Sequence, residues 1–179
     1  MSYNLTQGVN LRGRDNTPGS SAIYIAEHQN LTNVDISGDG IYVEDITMSG
    51  STKFYEFLVP RNNLNFTNNT EISVENGTYV FMPMVNFNLP GLKSETLELF
   101  DVLVRKSVVV VVRSNENRYY LIGKDNGLDI TSNSNFTQGL TSTDLTGSVI
   151  ELEGLERTRI MEIDPTAVES LMNTISEPA

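Results

Sequence analysis

Residues 93–131 read KSETLELFDVLVRKSVVVVVRSNENRYYLIGKDNGLDIT and contain the clearest secondary-structure signals of the chain. The hydroxyl of Ser94 can cap the free amides of a first helical turn, and Arg105 suits the negative end of a helix dipole. The intervening residues are apolar almost all round, which predicts a helix over about 94–105 that is buried against a sheet. The positions that mark one helical face, at i, i+3 and i+7, are Leu97, Phe100 and Val104.

A run of five valines at 108–112 follows this helix. β-Branched residues without polar alternation are typical of a central strand that is buried on both faces. Polar turn residues separate this run from a returning strand at 119–122, and a Gly- and Asn-containing turn at 123–127 precedes an alternating segment at 128–131. The sequence therefore predicts one helix that leads into a three-stranded antiparallel meander.

The composition excludes several classes of function. The 179 residues carry a net charge of −11, which opposes adhesion to nucleic acid phosphates or to an anionic membrane surface. Cysteine is absent, so disulfides, thiolate nucleophiles and Cys-ligated metals are excluded. The first residues lack the apolar core of a signal peptide, and no apolar run approaches the length of a membrane helix.

Upstream of the helix, the pattern predicts further strands. A strong strand candidate occupies 53–59, and Asn76-Gly77 is the strongest hairpin signal in the chain. Leu64 and Phe66 alternate with polar residues and predict a short edge strand before this hairpin. The long apolar segment 78–89 should leave the hairpin as a strand, and Pro83 within it favours an edge position or a bulge.

The chain is expected to form one β domain at 21–163, preceded by an N-terminal arm at 1–20 and followed by a C-terminal segment at 164–179. Asp164 and Pro165 form a good helix start, which predicts a short amphipathic helix at about 165–175. Such a short helix is marginal alone and must dock on its own sheet or on a neighbouring subunit. Its apolar stripe consists of Val168, Leu171, Met172 and Ile175.

Residues that would carry catalysis are not found as a recognisable group. The single histidine, His28, lies in a polar stretch and is expected at the surface. The 123–127 segment resembles a phosphate or calcium loop only superficially, because it lacks the required length and ligand spacing. We therefore expect no enzyme activity, no metal site and no cofactor. Tyr119 and Tyr120 should point to opposite faces of a strand and serve packing.

The order of these elements resembles the small virion structural proteins of tailed phages of Bacteroidetes-type hosts, of the tail tube class. The residues that carry the resemblance lie at 53–57 (KFYEF), at 119–131 and at 144–153. The resemblance implies a mainly β, tail-tube-like antiparallel sandwich or barrel with one flanking helix. The long N-terminal segment and the amphipathic C-terminal helix depart from this pattern, which leaves open a neck or tail ring (connector) protein with a tube-like core.

For a member of this class, the resemblance implies a subunit of rings that stack into the DNA-conducting channel of the virion. Its partners would be other copies of the chain, in a ring of six-fold or twelve-fold symmetry, and other tail or neck proteins. DNA would pass without specific binding, and no membrane would be involved. The residues expected to contact partners are the edge-strand and C-terminal apolar side chains: Leu64, Phe66, Val168, Leu171, Met172 and Ile175.

Two other classes of function remain as alternatives. A monomeric β-sandwich on a virion surface could bind sugar or peptide through exposed aromatic side chains, for which Tyr119, Tyr120 and Phe136 are the candidates. A carboxylate-based enzyme would need a pair of acids with shifted pKa values in a pocket. Ring formation distinguishes the assembly protein from both alternatives.

Overall fold

Thirteen strands and one α-helix make up the regular structure in the computed structural model, which describes residues 19–60, 62–91, 94–138, 146–164 and 175–176. A single turn of 3-10 helix, His28–Asn30, joins the first two strands. The elements are β1 (Ser20–Glu27), β2 (Leu31–Ile36), β3 (Tyr42–Met48), β4 (Phe54–Leu58), β5 (Leu64–Ser73), β6 (Thr78–Pro90), α1 (Ser94–Arg105), β7 (Val108–Ser114), β8 (Tyr119–Ile122), β9 (Asp129–Ile130), β10 (Asn135–Thr137), β11 (Gly147–Glu153), β12 (Met161–Ile163) and β13 (Ile175–Ser176).

Strand β7 lies in the interior of an eight-stranded sheet with the order β13-β4-β1-β7-β8-β12-β3-β2. Its neighbours β1 and β8 both pair with it in the antiparallel sense. All five valines of the 108–112 run are buried, and they alternate between two separate apolar clusters on the two faces of the sheet. The prediction of a central strand buried on both faces is confirmed.

One face of the eight-stranded sheet is covered by strands from the far end of the same sheet. Val109 and Val111 of β7 belong to the same apolar cluster as Val43 and Ile46 of β3, and Val34 of β2 packs against that cluster. Because β2 and β3 also belong to the eight-stranded sheet, the sheet curls over itself to enclose these side chains. The pairs β3–β12 and β4–β13 are parallel, whereas the other pairs of this sheet are antiparallel.

A second sheet covers the opposite face and completes a β-sandwich. This five-stranded sheet has the order β10-β11-β6-β5, with β9 added to β11. Val110 and Val112 of β7 share the central core with Val85 and Phe87 of β6. Helix α1 closes one side of this core with Leu103, which is fully buried. The predicted fold class, mainly β with one flanking helix, is confirmed.

Helix α1 has the predicted bounds but is not buried all round. Leu99, Phe100 and Leu103 pack against the core, whereas Leu97 and Val104 are exposed. The expectation of a fully buried helix was wrong because α1 lies at the flank of the sandwich and not between its sheets. A flanking helix can bury only one stripe, so the apolar residues outside that stripe remain in solvent.

The predicted meander is correct for β7 and β8 but wrong for the third strand. Leu128 exchanges two backbone hydrogen bonds with Val108, with N–O distances of 2.7 and 2.9 Å. The chain then leaves this sheet, and β9 pairs with β11 in the other one. Leu128 is fully buried and thus fixes the point at which the chain crosses between the two sheets.

Pro83 does not place β6 at an edge, because β6 lies between β5 and β11. The ladder on the β11 side is interrupted at this position. The Gly154 N–H donates to the Pro83 carbonyl at 3.1 Å, but Pro83 returns no hydrogen bond. The next pair with two backbone hydrogen bonds is Phe81 with Glu156. The register is the same on both sides of Pro83, so the proline removes only the one ladder hydrogen bond that its missing N–H would have donated towards Gly154.

The two-faced burial of β7 gives a test with matched substitutions. Val110→Ala should lower the free energy of unfolding by about 2–3 kcal/mol, because it removes buried methyl groups and leaves a cavity. The same change at exposed Val104 should alter it by no more than about 0.5 kcal/mol. Urea unfolding followed by circular dichroism measures both, and equal effects would show that the central strand does not carry the core.

Candidate assembly interface

Strand β5 forms an open edge of the five-stranded sheet. Its ten residues pair with β6 from Leu64 opposite Phe87 to Ser73 opposite Thr78, without a break in register. Within the described residues, no strand pairs with its other side. An unpaired strand of this length presents a row of free backbone donors and acceptors, which can accept a strand from another chain.

The far end of the β5–β6 hairpin, residues 70–80, extends beyond the core and is called the hairpin arm. Side chains alternate along β5, so Ile72 lies on the same face as the buried Leu64. Tyr79 lies directly opposite Ile72 on β6. Yet Ile72 is 70% exposed, Tyr79 60% and Val74, in the turn, 89%. The apolar face of the sheet thus extends into the hairpin arm, where no other described part of the chain covers it.

The residues predicted as edge contacts occupy a different position. Leu64 is buried, and Phe66 packs against the core with its ring centroid 5.3 Å from that of Tyr120. The predicted edge strand is present, but these two side chains face the core of their own chain, because its apolar alternation points inward. The sequence does contain a signal for the arm, since after the polar Asn68 and Thr70 the apolar residues Ile72 and Val74 return at the same parity as Leu64 and Phe66.

The predicted C-terminal contact residues Val168, Leu171 and Met172 lie outside the described residues. Ile175, expected at the end of the same helix, lies in β13 and pairs in parallel with Phe54 of β4. Its helical assignment was wrong at this position, because the open edge of β4 offers a backbone ladder that a helical residue could not use.

The outward face of the five-stranded sheet is mostly polar, although Val80, Met82, Met84 and Val149 also lie on it. Asn65, Asn86 and Glu151 form one row across β5, β6 and β11. The Glu151 carboxylate accepts hydrogen bonds from the Thr131 hydroxyl and the Asn133 amide, both at 2.7 Å. None of the strands of this sheet contains lysine or arginine. The strands of this face therefore offer no cationic side chain to a phosphate group.

The 123–127 turn closes around a buried carboxylate. Glu156 is 2% exposed, and its Oε2 accepts from the Asp125 amide at 2.7 Å. Its Oε1 accepts from the amides of Asn126 and Gly127 at 3.0 and 3.1 Å. Burial raises the pKa of Glu156, although these hydrogen bonds oppose the shift. The amides that could have held a phosphate already bind a side chain of the same chain, so the turn is structural.

Neighbouring groups brace the same turn. Burial acts to raise the pKa of Asp125, but hydrogen bonds from Lys124 and Thr158 outweigh it and lower the pKa. His28, expected at the surface, is half-buried, with its Nε2 3.1 Å from the Lys124 carbonyl oxygen. A Cβ at Gly127 would lie 3.0 Å from the imidazole, and the φ of +83° at this position favours glycine. These contacts join β8 to the segment after β11.

The candidate aromatic platform is mostly used for packing. Tyr119 and Tyr120 point to opposite faces, as predicted; Tyr119 is buried in one cluster and Tyr120 packs on Phe66. Phe136 remains half exposed. Within the described part of the chain, no group of three or more His, Asp or Glu side chains could hold a metal ion. Among the same residues, no helix combines the length and apolar character needed to cross a membrane.

In comparisons with known proteins, no family model matches the chain, no curated protein matches it and no solved structure matches its fold. The functional argument therefore depends on the surfaces of the molecule. Two of them stand out: the open edge with its hairpin arm, and the polar outer face of the same sheet.

Glu156→Gln should lower the free energy of unfolding by about 1–3 kcal/mol, because the new amide nitrogen would face the Asp125 N–H and leave it unpaired. The loss should also depend on pH. The pKa of Glu156 is raised in the folded state, so its contribution is full below the ordinary glutamate pKa and declines as the pH rises through the folded value.

The difference in unfolding free energy between wild type and Glu156→Gln should therefore be largest at acidic pH and shrink towards neutral pH. Urea unfolding of both proteins across this pH range measures the difference. The pH-dependent contributions of the other carboxylates are the same in both proteins and cancel when the two free energies are subtracted. A difference that grows with pH would contradict a raised pKa at this position.

Proposed function

We propose that this protein is a virion structural subunit of a tailed phage that assembles into a ring, or a stack of rings, forming a DNA-conducting tail tube. The observation that carries the proposal is the open β5 edge with its overhanging apolar arm. Exposed apolar side chains beside an unpaired strand are costly in a single chain and gain from burial in a partner. The same surfaces would serve a neck or tail ring.

The edges of the five-stranded sheet support closure into a ring. Strand β5 lies at one end of the sheet order and β10 at the other, and neither has a partner on its outer side within the described residues. Counting through the antiparallel pairs, β10 runs opposite to β5. Joining β5 of one copy to β10 of the next would thus continue the antiparallel sheet, and such a heterologous contact closes rings or extends filaments.

The polar outer face of this sheet suits the wall of a channel. If the five-stranded sheets of neighbouring copies join edge to edge, the faces that pack on each core point away from the ring axis. The opposite faces, which contain Asn and Glu, then line the channel. A lining without basic residues would repel DNA phosphates and avoid retaining them, in accord with the net charge of −11. DNA would pass through such a channel without specific binding.

The proposal is tested by light scattering of the purified protein over a range of concentrations, with negative-stain electron microscopy of the same fractions. Rings or tubes should appear as the concentration rises. Ile72→Lys should raise the concentration needed by at least about tenfold, because burying one isoleucine contributes about 1.5–3 kcal/mol.

Ile41→Lys is the matched control, because Ile41 is an exposed isoleucine away from the arm, next to β3. It should assemble like the wild type. A wild-type protein that remains a monomer at every concentration would refute the proposal, and glycan or peptide binding would then be examined for the alternative of a monomeric binding module.

A further inference from the structure

Two Asn-Gly dipeptides occur in the chain, and the fold holds them in different environments. Asn76-Gly77 lies in the turn of the hairpin arm, and Asn126-Gly127 lies in the turn that closes around Glu156. Asparagine before glycine can lose its side-chain amide spontaneously, because glycine has no side chain to obstruct attack by its own backbone nitrogen. The reaction then depends on whether that nitrogen can reach the side chain of the asparagine.

In the arm, nothing holds the two groups apart. Asn76 is exposed, and within the described residues the Gly77 N–H makes no backbone hydrogen bond. A Cβ at Gly77 would meet no atom within 4 Å, so the backbone there is surrounded by open space. The tip of a two-stranded ribbon is also where the backbone moves most readily. The Gly77 nitrogen can therefore approach the side-chain carbonyl carbon of Asn76 without breaking a contact of the fold.

In the 123–127 turn, the corresponding groups are held in place. The Gly127 N–H donates to the Glu156 carboxylate at 3.1 Å, and the side-chain amide of Asn126 donates to the Leu155 carbonyl oxygen. The backbone is also tightly enclosed, because a Cβ at Gly154 would lie 2.6 Å from the Gly127 carbonyl oxygen. Attack by the Gly127 nitrogen requires local opening of these contacts, which the folded state suppresses.

We propose that Asn76 is a site of spontaneous deamidation in the folded protein, and that the fold protects Asn126 from the same reaction. The Gly77 nitrogen loses its proton to solvent base and attacks the Asn76 side-chain carbonyl carbon, which forms a C–N bond. The side-chain nitrogen takes up a proton and leaves as ammonia, and a cyclic imide results. Water then opens the imide at either carbonyl and leaves an aspartate or an isoaspartate.

Deamidation would add a carboxylate to an arm that is already acidic. The arm carries Glu71 and Glu75, and no lysine or arginine occurs between residues 62 and 91. In the proposed assembly, which this second step presupposes, a neighbouring copy covers the arm and limits the motion that the reaction needs. Deamidation at Asn76 therefore marks copies that have remained outside an assembly.

Peptide mass spectrometry of dilute protein incubated at mildly alkaline pH tests the site. Trypsin places the two dipeptides in separate peptides, 62–93 and 125–157. In the folded protein, the mass increase from exchange of NH for O, located by fragmentation, should appear at Asn76 at least about tenfold faster than at Asn126.

The same protein unfolded in guanidinium chloride is the matched control. Each dipeptide follows an acidic residue, Glu75 or Asp125, so the difference between the two rates should disappear on unfolding. Equal rates in the folded protein, or no reaction at Asn76, would overturn the proposed site. A difference that persists in the unfolded chain would show that neighbouring residues and not the fold cause it, and would also overturn the proposal.

The second step is tested by repeating the incubation at concentrations at which assemblies form. Deamidation at Asn76 should be slower in the assembled fraction than in the free fraction of the same sample. Equal rates in the two fractions would show that the arm is not covered in the assembly. Failure of the protein to assemble would refute the proposed ring and the protection, whereas the difference between Asn76 and Asn126 in dilute protein would still stand.

Discussion

Burial of a single strand on both faces is the constraint on which the rest of the structure depends. The valines at 108–112 present apolar surface to two sides, so β7 requires two separate covers. The five-stranded sheet and α1 supply one, and the curled end of the eight-stranded sheet supplies the other. Loss of either cover would expose a β-branched strand with strong pairing tendencies.

The same arrangement leaves one element without a cover. Strand β6 is thirteen residues long, and the chain after β11 accompanies it only as far as Phe81. The buried carboxylate of Glu156 holds that accompanying segment against the 123–127 turn, which fixes where the support ends. Beyond it, an isolated two-stranded ribbon with apolar side chains is marginal in water. Burial of these side chains in a neighbouring copy of the proposed assembly would remove this cost.

Local signals in the sequence predict the parts of the fold that depend on local physics. Ser94 as a cap, the valine run, and Asn76-Gly77 with φ of +62° at the glycine each determine an element from its own residues. Strand pairing between distant segments cannot be predicted from local signals. The crossing of the chain between sheets at Leu128 and the interior position of Pro83 both depend on which strands pair. The inward orientation of Leu64 and Phe66 was missed for the same reason: alternation identifies the apolar face but not how far the core extends beneath it.

Amide hydrogen–deuterium exchange at several protein concentrations tests the central claim, that the apolar face of the arm is covered only in the assembly, most directly. Amides at 70–80 should exchange rapidly in dilute protein and become protected over the concentrations at which assemblies form, because burial and strand pairing withhold them from water. Amides of β7 should be protected throughout. Rapid exchange of the arm in a fully assembled sample would contradict the account.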